Sequence, residues 1–331
     1  MGAETHGGRW SLWSRQVAAL FRMELRKVLW RPRALIIYAL ALLPIVPFAG
    51  RAVFLMIIVP AMSRGATTPE AAPPAEVAPP ADIGPPAGEA PPADVAPLAE
   101  ETPHPDELAV RFVLPRSPEE GRSNTTAVYA NLFQVMFLPL ALFFGCVWTF
   151  MNLFRGDILD RVLHHYLLAP LRREVLVAGK YAAGVAGTAL VYGASATACF
   201  VLAYLPYGDV LGQGRLAQLL AYLGITALAC AGYGGVFLLC GLLWRNPVIP
   251  ALVIWSWEAI NFLLPAWLKK LSVVHYLRSL TPVPVADGPL AIIAEPTPAH
   301  IAIPGLLLVT AALIVLAARR VRRLEIGYTS E

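Results

Sequence analysis

Charged residues are scarce in this 331-residue chain. Asp, Glu, Lys and Arg together make up 15% of it, whereas hydrophobic residues make up 57% and the mean hydropathy is +0.60. Because a soluble domain carries about a quarter charged residues, the composition excludes an ordinary soluble globular protein. The charges are also clustered, which leaves apolar runs long enough to cross a bilayer as helices. The sequence therefore predicts an all-α, multi-pass integral membrane protein.

Catalytic and metal-binding motifs are also missing. The four cysteines all lie in apolar runs and have no metal-ligand spacing, which is typical of small buried side chains. The chain has no GxxxxGK[ST] phosphate loop, since Gly179-Lys180 is followed by Tyr181 and lacks the upstream glycine. HExxH, CxxC and GxSxG motifs are absent as well. We therefore expect no metal, no cofactor, no ATP site and no enzymatic activity in this chain.

Six apolar runs are predicted to span the membrane. They are Ala34–Pro60, Val128–Met151, Leu176–Leu205, Leu216–Leu243, Val248–Leu268 and Ile301–Ala318. Lys and Arg favour cytoplasmic segments. With the N-terminus inside, 17 of them fall on the cytoplasmic side and 8 outside, and Arg51 lies within the first run. This asymmetry predicts a cell (plasma or inner) membrane protein with both termini cytoplasmic, including a tail at 319–331.

Residues 1–33 are predicted to form an amphipathic helix in the cytoplasmic headgroup layer. Trp10, Trp13 and Val17 begin an apolar face, and basic residues from Arg15 to Lys27 line the opposite face. Tryptophan favours the headgroup layer, and a basic face attracts anionic lipid. A basic flank that only sets topology is the simpler alternative.

Residues 61–126 differ from the rest in composition. A six-residue repeat begins with PPAEVA at Pro73 and continues as PPADIG, PPAGEA and PPADVA. Prolines at this density exclude helix and sheet interiors, and no apolar periodicity predicts a core. We predict a disordered extracytoplasmic loop, either a spacer or cell-wall contact, or a low-complexity insertion without function.

A short charged segment separates the second and third predicted spans. Apolar pairs recur every four residues from Ile158-Leu159 onward, and polar side chains occupy the other face until Pro170 ends the pattern. A helix of this kind cannot lie in hydrocarbon. Residues 154–175 are therefore predicted to form a cytoplasmic surface helix that is available to a partner.

Glu258 lies near the middle of the fifth predicted span, where a charge is expensive. Asn261 follows three residues later on the same helical side. The pair predicts either a polar spot on a translocation path or a packing hydrogen bond between helices. Small residues recur along the third and fourth predicted spans and favour close helix packing, within one bundle or between subunits.

The order of these parts resembles the type-2 ATP-binding-cassette (ABC) transporter permeases. The resemblance is carried by FRGDILDRVLHHYLLAPLRREVLVAGKY at Phe154–Tyr181 and by LSVVHYLRSLTP at Leu271–Pro282. It covers most of the chain except the Pro-rich loop, which is usually short in that family.

The resemblance implies an exporting permease subunit. Two such subunits, identical or paralogous, would form the pore in the lipid bilayer, and two separate ATPase subunits would dock beneath them, with no nucleic-acid partner. Residues 154–175 would be the coupling helix, and the outer segment 269–300 would contain short outer-leaflet or re-entrant helices. The implied ATPase contacts are Asp157, Asp160, Arg161, His164, His165, Arg172 and Arg173. Glu258 and Asn261 would line the translocation path.

Two other functions are compatible with the sequence. A non-transporting anchor or assembly protein would present the Pro-rich loop outside the cell. An integral-membrane lipid enzyme would need convergent acid, base or metal-ligand side chains, which the polar residues of the predicted spans supply poorly.

Overall fold

The structure is a computed structural model of the chain. It describes residues 4–58, 60, 118–159, 173–208, 210, 212, 214–244, 246, 248–269, 272–283 and 297–322. The Pro-rich repeats and residues 160–172 of the predicted coupling helix lie outside the described residues, as does the tail from 323 onward.

Each element in the described part of the chain is helical. The α-helices are α1 (Glu4–Trp30), α2 (Ala34–Leu42), α3 (Ile45–Val53), α4 (Pro118–Leu132), α5 (Phe143–Leu159), α6 (Arg173–Tyr204), α7 (Arg215–Leu243), α8 (Val248–Ala259), α9 (Ala266–Lys269), α10 (Val273–Ser279) and α11 (Ala299–Arg322). Wider π-helical turns cover Phe54–Ile58 and Phe133–Leu142, and 3-10 turns cover Leu205–Tyr207 and Ile260–Leu263.

Five helical stretches among these residues are long and apolar enough to cross a membrane. They are Ala34–Ile58, Gly121–Asp157, Arg173–Tyr207, Arg215–Leu243 and Ala299–Arg322. They agree with a multi-pass membrane protein and with five of the six predicted spans. Pro139 lies within the second stretch, where its missing N–H is accommodated by π-helical hydrogen bonding.

The fifth predicted span, Val248–Leu268, has a different structure. Its helix α8 contains 12 residues, about 18 Å of rise, which is shorter than the hydrocarbon core of a bilayer. Leu264 is extended, with φ −76° and ψ 147°, because a residue that precedes a proline, here Pro265, avoids the helical conformation. The apolar run therefore breaks at Leu264, and among the described residues it is not one of the stretches long and apolar enough to cross a membrane.

The core lies where α7 packs on α5, α6 and α11. A Cβ added at Gly241 of α7 would lie 2.9 Å from the Met151 Cα of α5, and a Cβ at either Gly184 or Gly234 would contact the Phe150 ring. These glycines let helices of the same chain approach closely. Gly224 differs, since nothing lies within 4 Å of a Cβ there.

Helix α1 runs alongside α6. Leu20 contacts Gly179, and Val28 contacts Gly187. The two contacts are eight residues apart on each helix, which is about 12 Å along either axis. This equal spacing means that the two helices are parallel over this stretch. A helix is thus present where the N-terminal amphipathic helix was predicted, and its apolar face packs on a candidate span. Its place in the headgroup layer stays a prediction.

Candidate functional site

A fully buried lysine lies at the centre of the contact between α1, α5 and α6. Lys180 has no exposed side-chain surface, and its Nζ lies 2.9 Å from Glu24 Oε1 and 3.3 Å from the Leu153 carbonyl oxygen. It also donates to Asp157 Oδ2. Since an ammonium group has three donors, each of its hydrogens has an acceptor.

A second lysine completes the group from the surface. Lys27 Nζ lies 2.9 Å from Glu24 Oε1 and 3.2 Å from Asp157 Oδ1, and its side chain is 19% exposed. We call Glu24, Lys27, Asp157 and Lys180 the ion cluster. Two positive and two negative charges alternate in it, so the burial of each charge is compensated by two opposite charges.

The local sequence explains how three segments meet here. Glu24 follows Leu20 by one helical turn on the face of α1 that packs on α6, and it is the only acidic residue between Thr5 and Pro69. Gly179, next to Lys180, leaves space for the Leu20 side chain. The Gly179-Lys180 pair, which lacks the context of a phosphate loop, thus has a packing and ion-pairing role.

A second anchor lies at the beginning of α6. Arg173 Nη1 donates to the carbonyl oxygens of Arg322, at 2.8 Å, and Val321, at 3.2 Å. The last carbonyls of a helix have no partners within it, and basic side chains commonly bind them. The neighbouring Glu174 forms an ion pair with Arg322. These contacts hold the end of α11 against the beginning of α6.

Two of the seven predicted ATPase contacts lie among the described residues, and both make contacts within the chain. The Asp157 side chain is buried and accepts hydrogen bonds from two lysines. Arg173 binds the end of α11. The other five lie outside the described residues: Asp160, Arg161, His164, His165 and Arg172. Residues 160–172 are therefore bracketed by the ion cluster on one side and by the Arg173 contacts on the other.

Glu258 caps the short helix α10. Its carboxylate accepts from the backbone N–H groups of Val273, at 3.0 Å, and Val274, at 3.2 Å, and from the Ser272 hydroxyl. The side chain is 8% exposed. Both carboxylate oxygens are thus used in joining α8 to the segment that follows it.

Asn261 makes no bond to Glu258. It is buried, and its Nδ2 has no hydrogen-bond partner in the described part of the chain. At the other end of α10, Gln134 Nε2 donates to Thr281 Oγ1 and to the Val283 carbonyl oxygen, each at 3.0 Å. Helix α10 is therefore held at both ends. Asn261, which precedes α10 in the chain, has an amide donor that none of the described residues accepts from.

Comparisons with known proteins identify no relative of this chain. No family model, curated protein or solved structure matches it. Within the described residues, no three His, Cys, Asp or Glu side chains gather as a metal site.

Proposed function

We propose that this chain is the permease subunit of an ABC exporter in the cell membrane, with both termini in the cytoplasm. In this proposal it works with a separate ATPase subunit and a second, identical or paralogous, permease subunit. The observation that carries the proposal is the bracketing of residues 160–172 by two intrachain anchors. A segment whose flanking residues are anchored in this way is suited to receive a force and to pass it to the spans.

The ion cluster supports this transmission because it joins three elements. Asp157 lies at the end of α5, Lys180 lies in α6 and Glu24 lies in α1. Shearing these elements apart would leave buried charges unpaired, which costs several kcal/mol. A displacement of residues 160–172 would therefore move all three helices together. Through Arg173 it would also reach α11.

This arrangement divides the predicted contact residues into two groups. Asp160, Arg161, His164, His165 and Arg172 are the proposed contacts with the ATPase. Asp157 and Arg173 transmit its movement inside the permease. ATP-driven closure does work on the permease only if the ATPase grips this segment differently in its two states.

Glu258 and Asn261 are the proposed polar residues of the translocation path. The unused Asn261 amide donor supports this role, since a buried donor without a partner is unfavourable and can bond a passing polar group. Glu258 would hold α10 in position beside the path.

A co-purification experiment tests the proposed partnership. The tagged full-length chain is purified from its native membranes, and the ATP-binding subunit that accompanies it is detected by photo-crosslinking with an azido-ATP probe. We expect Arg161→Glu with Arg172→Glu to reduce the recovered ATP-binding subunit at least about tenfold, because like charges at an interface cost more than 1.4 kcal/mol. Arg320→Glu, an exposed site at the end of α11, is the matched control and should retain the subunit.

Asp157→Asn separates docking from transmission. We expect it to retain the ATP-binding subunit but to reduce the stimulation of ATP hydrolysis by the permease in nanodiscs. If the Arg161 and Arg172 substitutions leave both co-purification and stimulated hydrolysis unchanged, the coupling assignment is wrong. A purified wild-type chain without any ATP-binding partner would instead favour the anchoring protein.

A further inference from the structure

A layer of polar side chains lies at the end of the helix bundle opposite the ion cluster. Tyr204, at the end of α6, follows Lys180 by 24 residues, or about 36 Å along the helix. Its hydroxyl group lies 3.0 Å from Thr126 Oγ1 of α4 and 3.5 Å from Gln218 Oε1 of α7. Hydrogen bonds in this layer therefore join three helices.

Arg51 of α3 reaches the same layer from a fourth helix. Its Nη2 donates to Thr125 Oγ1 at 3.0 Å, and Thr125 is fully buried and precedes Thr126 in α4. One helical turn closer to the ion cluster, the Phe48 ring of α3 packs on the Tyr129 ring of α4, with centroids 5.5 Å apart. The contact between Arg51 and Thr125 is thus the next contact along the same pair of helices.

Three donor atoms at this layer are buried and have no acceptor among the described residues. They are Arg51 Nη1, Gln218 Nε2 and the Tyr222 hydroxyl group. Tyr222 is fully buried, follows Gln218 by one turn of α7, and packs its ring on Tyr129 at 4.8 Å. Because helical side chains tilt toward the N-terminus of their helix, the Tyr222 hydroxyl group is directed toward the Gln218 level. Buried donors without an acceptor are rare and unfavourable, so three in one layer indicate an acceptor between these helices.

The charge of Arg51 favours an anion over a water molecule as that acceptor. Within the described part of the chain, no carboxylate pairs with this guanidinium, and its hydrogen bond goes to a neutral hydroxyl group. Arg51 lies inside the first candidate span, Ala34–Ile58, where an ionisable side chain is costly and usually functional. Water would satisfy the donors and leave the charge uncompensated. An anion would do both, through a charge-assisted hydrogen bond.

We propose that this layer binds a small inorganic anion of the size of chloride. Arg51 supplies the positive charge, and Gln218 and Tyr222 supply neutral donors from α7. Thr125 and Tyr222 have no exposed surface, so the layer suits a small ion better than the phosphate group of a lipid. The bound anion joins α3 to α7 and stabilises this end of the bundle. Neither the ion cluster nor residues 160–172 takes part, so the site does not depend on the proposed transport.

Chloride binding by the detergent-purified full chain tests the site. The melting temperature is measured by tryptophan fluorescence over a series of sodium chloride concentrations, with sodium gluconate keeping the ionic strength constant. We expect the melting temperature of the wild type to rise with chloride, because a ligand that binds only the folded state stabilises it by mass action. Broadening of the chlorine NMR resonance measures the binding directly and should give the same affinity.

Two variants remove donors from the site, and a third is the matched control. Arg51→Gln should weaken chloride binding at least about tenfold, since it removes the charged donor. Tyr222→Phe keeps the ring that packs on Tyr129 and removes one neutral donor, so it should weaken binding about threefold to tenfold. Arg26→Gln removes the same charge at an exposed position of α1 and should leave the affinity within about twofold of wild type.

Equal losses in Arg51→Gln and Arg26→Gln would overturn the site in favour of general electrostatic attraction. A melting temperature that does not depend on chloride, with no broadening of the chlorine resonance, would overturn it in favour of water at the three donors. Displacement of chloride by phosphatidylglycerol would overturn the small ion in favour of a lipid phosphate. If Arg51→Gln does not fold, Tyr222→Phe decides, since an unchanged chloride affinity in that variant contradicts the proposal.

Discussion

The Lys180 side chain is fully buried. Water does not solvate its ammonium group, so three protein acceptors must stabilise it. Two of these are carboxylates that lie on other helices, and the third is the carbonyl oxygen of Leu153. Lys27 binds the same two carboxylates from a partly exposed position. The two lysines therefore share their carboxylate partners and differ in burial, which allows a matched comparison.

Lys180→Met should lower the free energy of unfolding by about 3 kcal/mol, because removing one member of a buried ionic group leaves opposite charges uncompensated. Lys27→Met should cost about 1 kcal/mol, since water solvates part of that site. Denaturant unfolding in detergent micelles measures both values. Equal, small losses would mean that the cluster does not hold the three helices together.

Among the glycines of the helices, the distance from the Cβ position to the neighbouring helix decides which of them close packing requires. Gly241 of α7 lies against the backbone of Met151 in α5, whereas Gly224 of the same helix has open space around its Cβ position. Backbone cannot move aside as the end of a flexible side chain can. The two positions therefore separate close packing from helix propensity.

Gly241→Ala should destabilise the protein by about 1–3 kcal/mol, because the added methyl group overpacks the contact between α5 and α7. Gly224→Ala should be neutral or stabilising by up to about 1 kcal/mol, since alanine favours the helix and meets nothing. Thermal unfolding of the two variants in the same detergent compares them. A loss at Gly224 would reveal a partner at that exposed surface.

The Glu258 cap of α10 can be tested by substitution. Glu258→Ala removes the acceptor of two backbone N–H groups and one hydroxyl, and it should destabilise the protein by about 1–2 kcal/mol. Glu258→Gln keeps one carbonyl oxygen and should cost less. Unfolding in micelles and permease-stimulated ATP hydrolysis are measured together.

The proposed role of Glu258 on the translocation path depends on how those two measurements compare. If hydrolysis falls further than the folded fraction, Glu258 acts on transport as well as on packing. If the two fall in parallel for both variants, the carboxylate has a structural role alone.

Across the whole molecule, the local pattern of apolar residues predicts the candidate spans well. It predicts contacts between side chains distant in the chain poorly. Apolar runs such as those beginning at Ala34 and Leu216 are close to the helices that form, because burial in lipid depends on local composition. The run from Val248 was predicted as one span because its composition is continuous. Pro265 is the local signal that it breaks at Leu264.

The ion cluster could not be predicted in the same way. Asp157 lies on the polar face of a helical pattern, and such a face is compatible with a partner protein or with lysines of the same chain. Glu24 had a visible signal, as a lone acid on an apolar face, but the sequence does not say which cation it meets. The coupling contacts from Asp160 to Arg172 remain predictions.

The distance along the chain between Glu24 and Lys180 has a consequence for biosynthesis. The two residues are 156 positions apart, so at about 5–20 residues per second the ribosome makes Lys180 roughly 8 to 30 s after Glu24. During that interval helix α1 has neither the lysine nor the helix against which it packs. The N-terminal helix therefore reaches its final position only after the third candidate span has been inserted, and a chain that stalls earlier leaves this helix exposed to quality-control proteases.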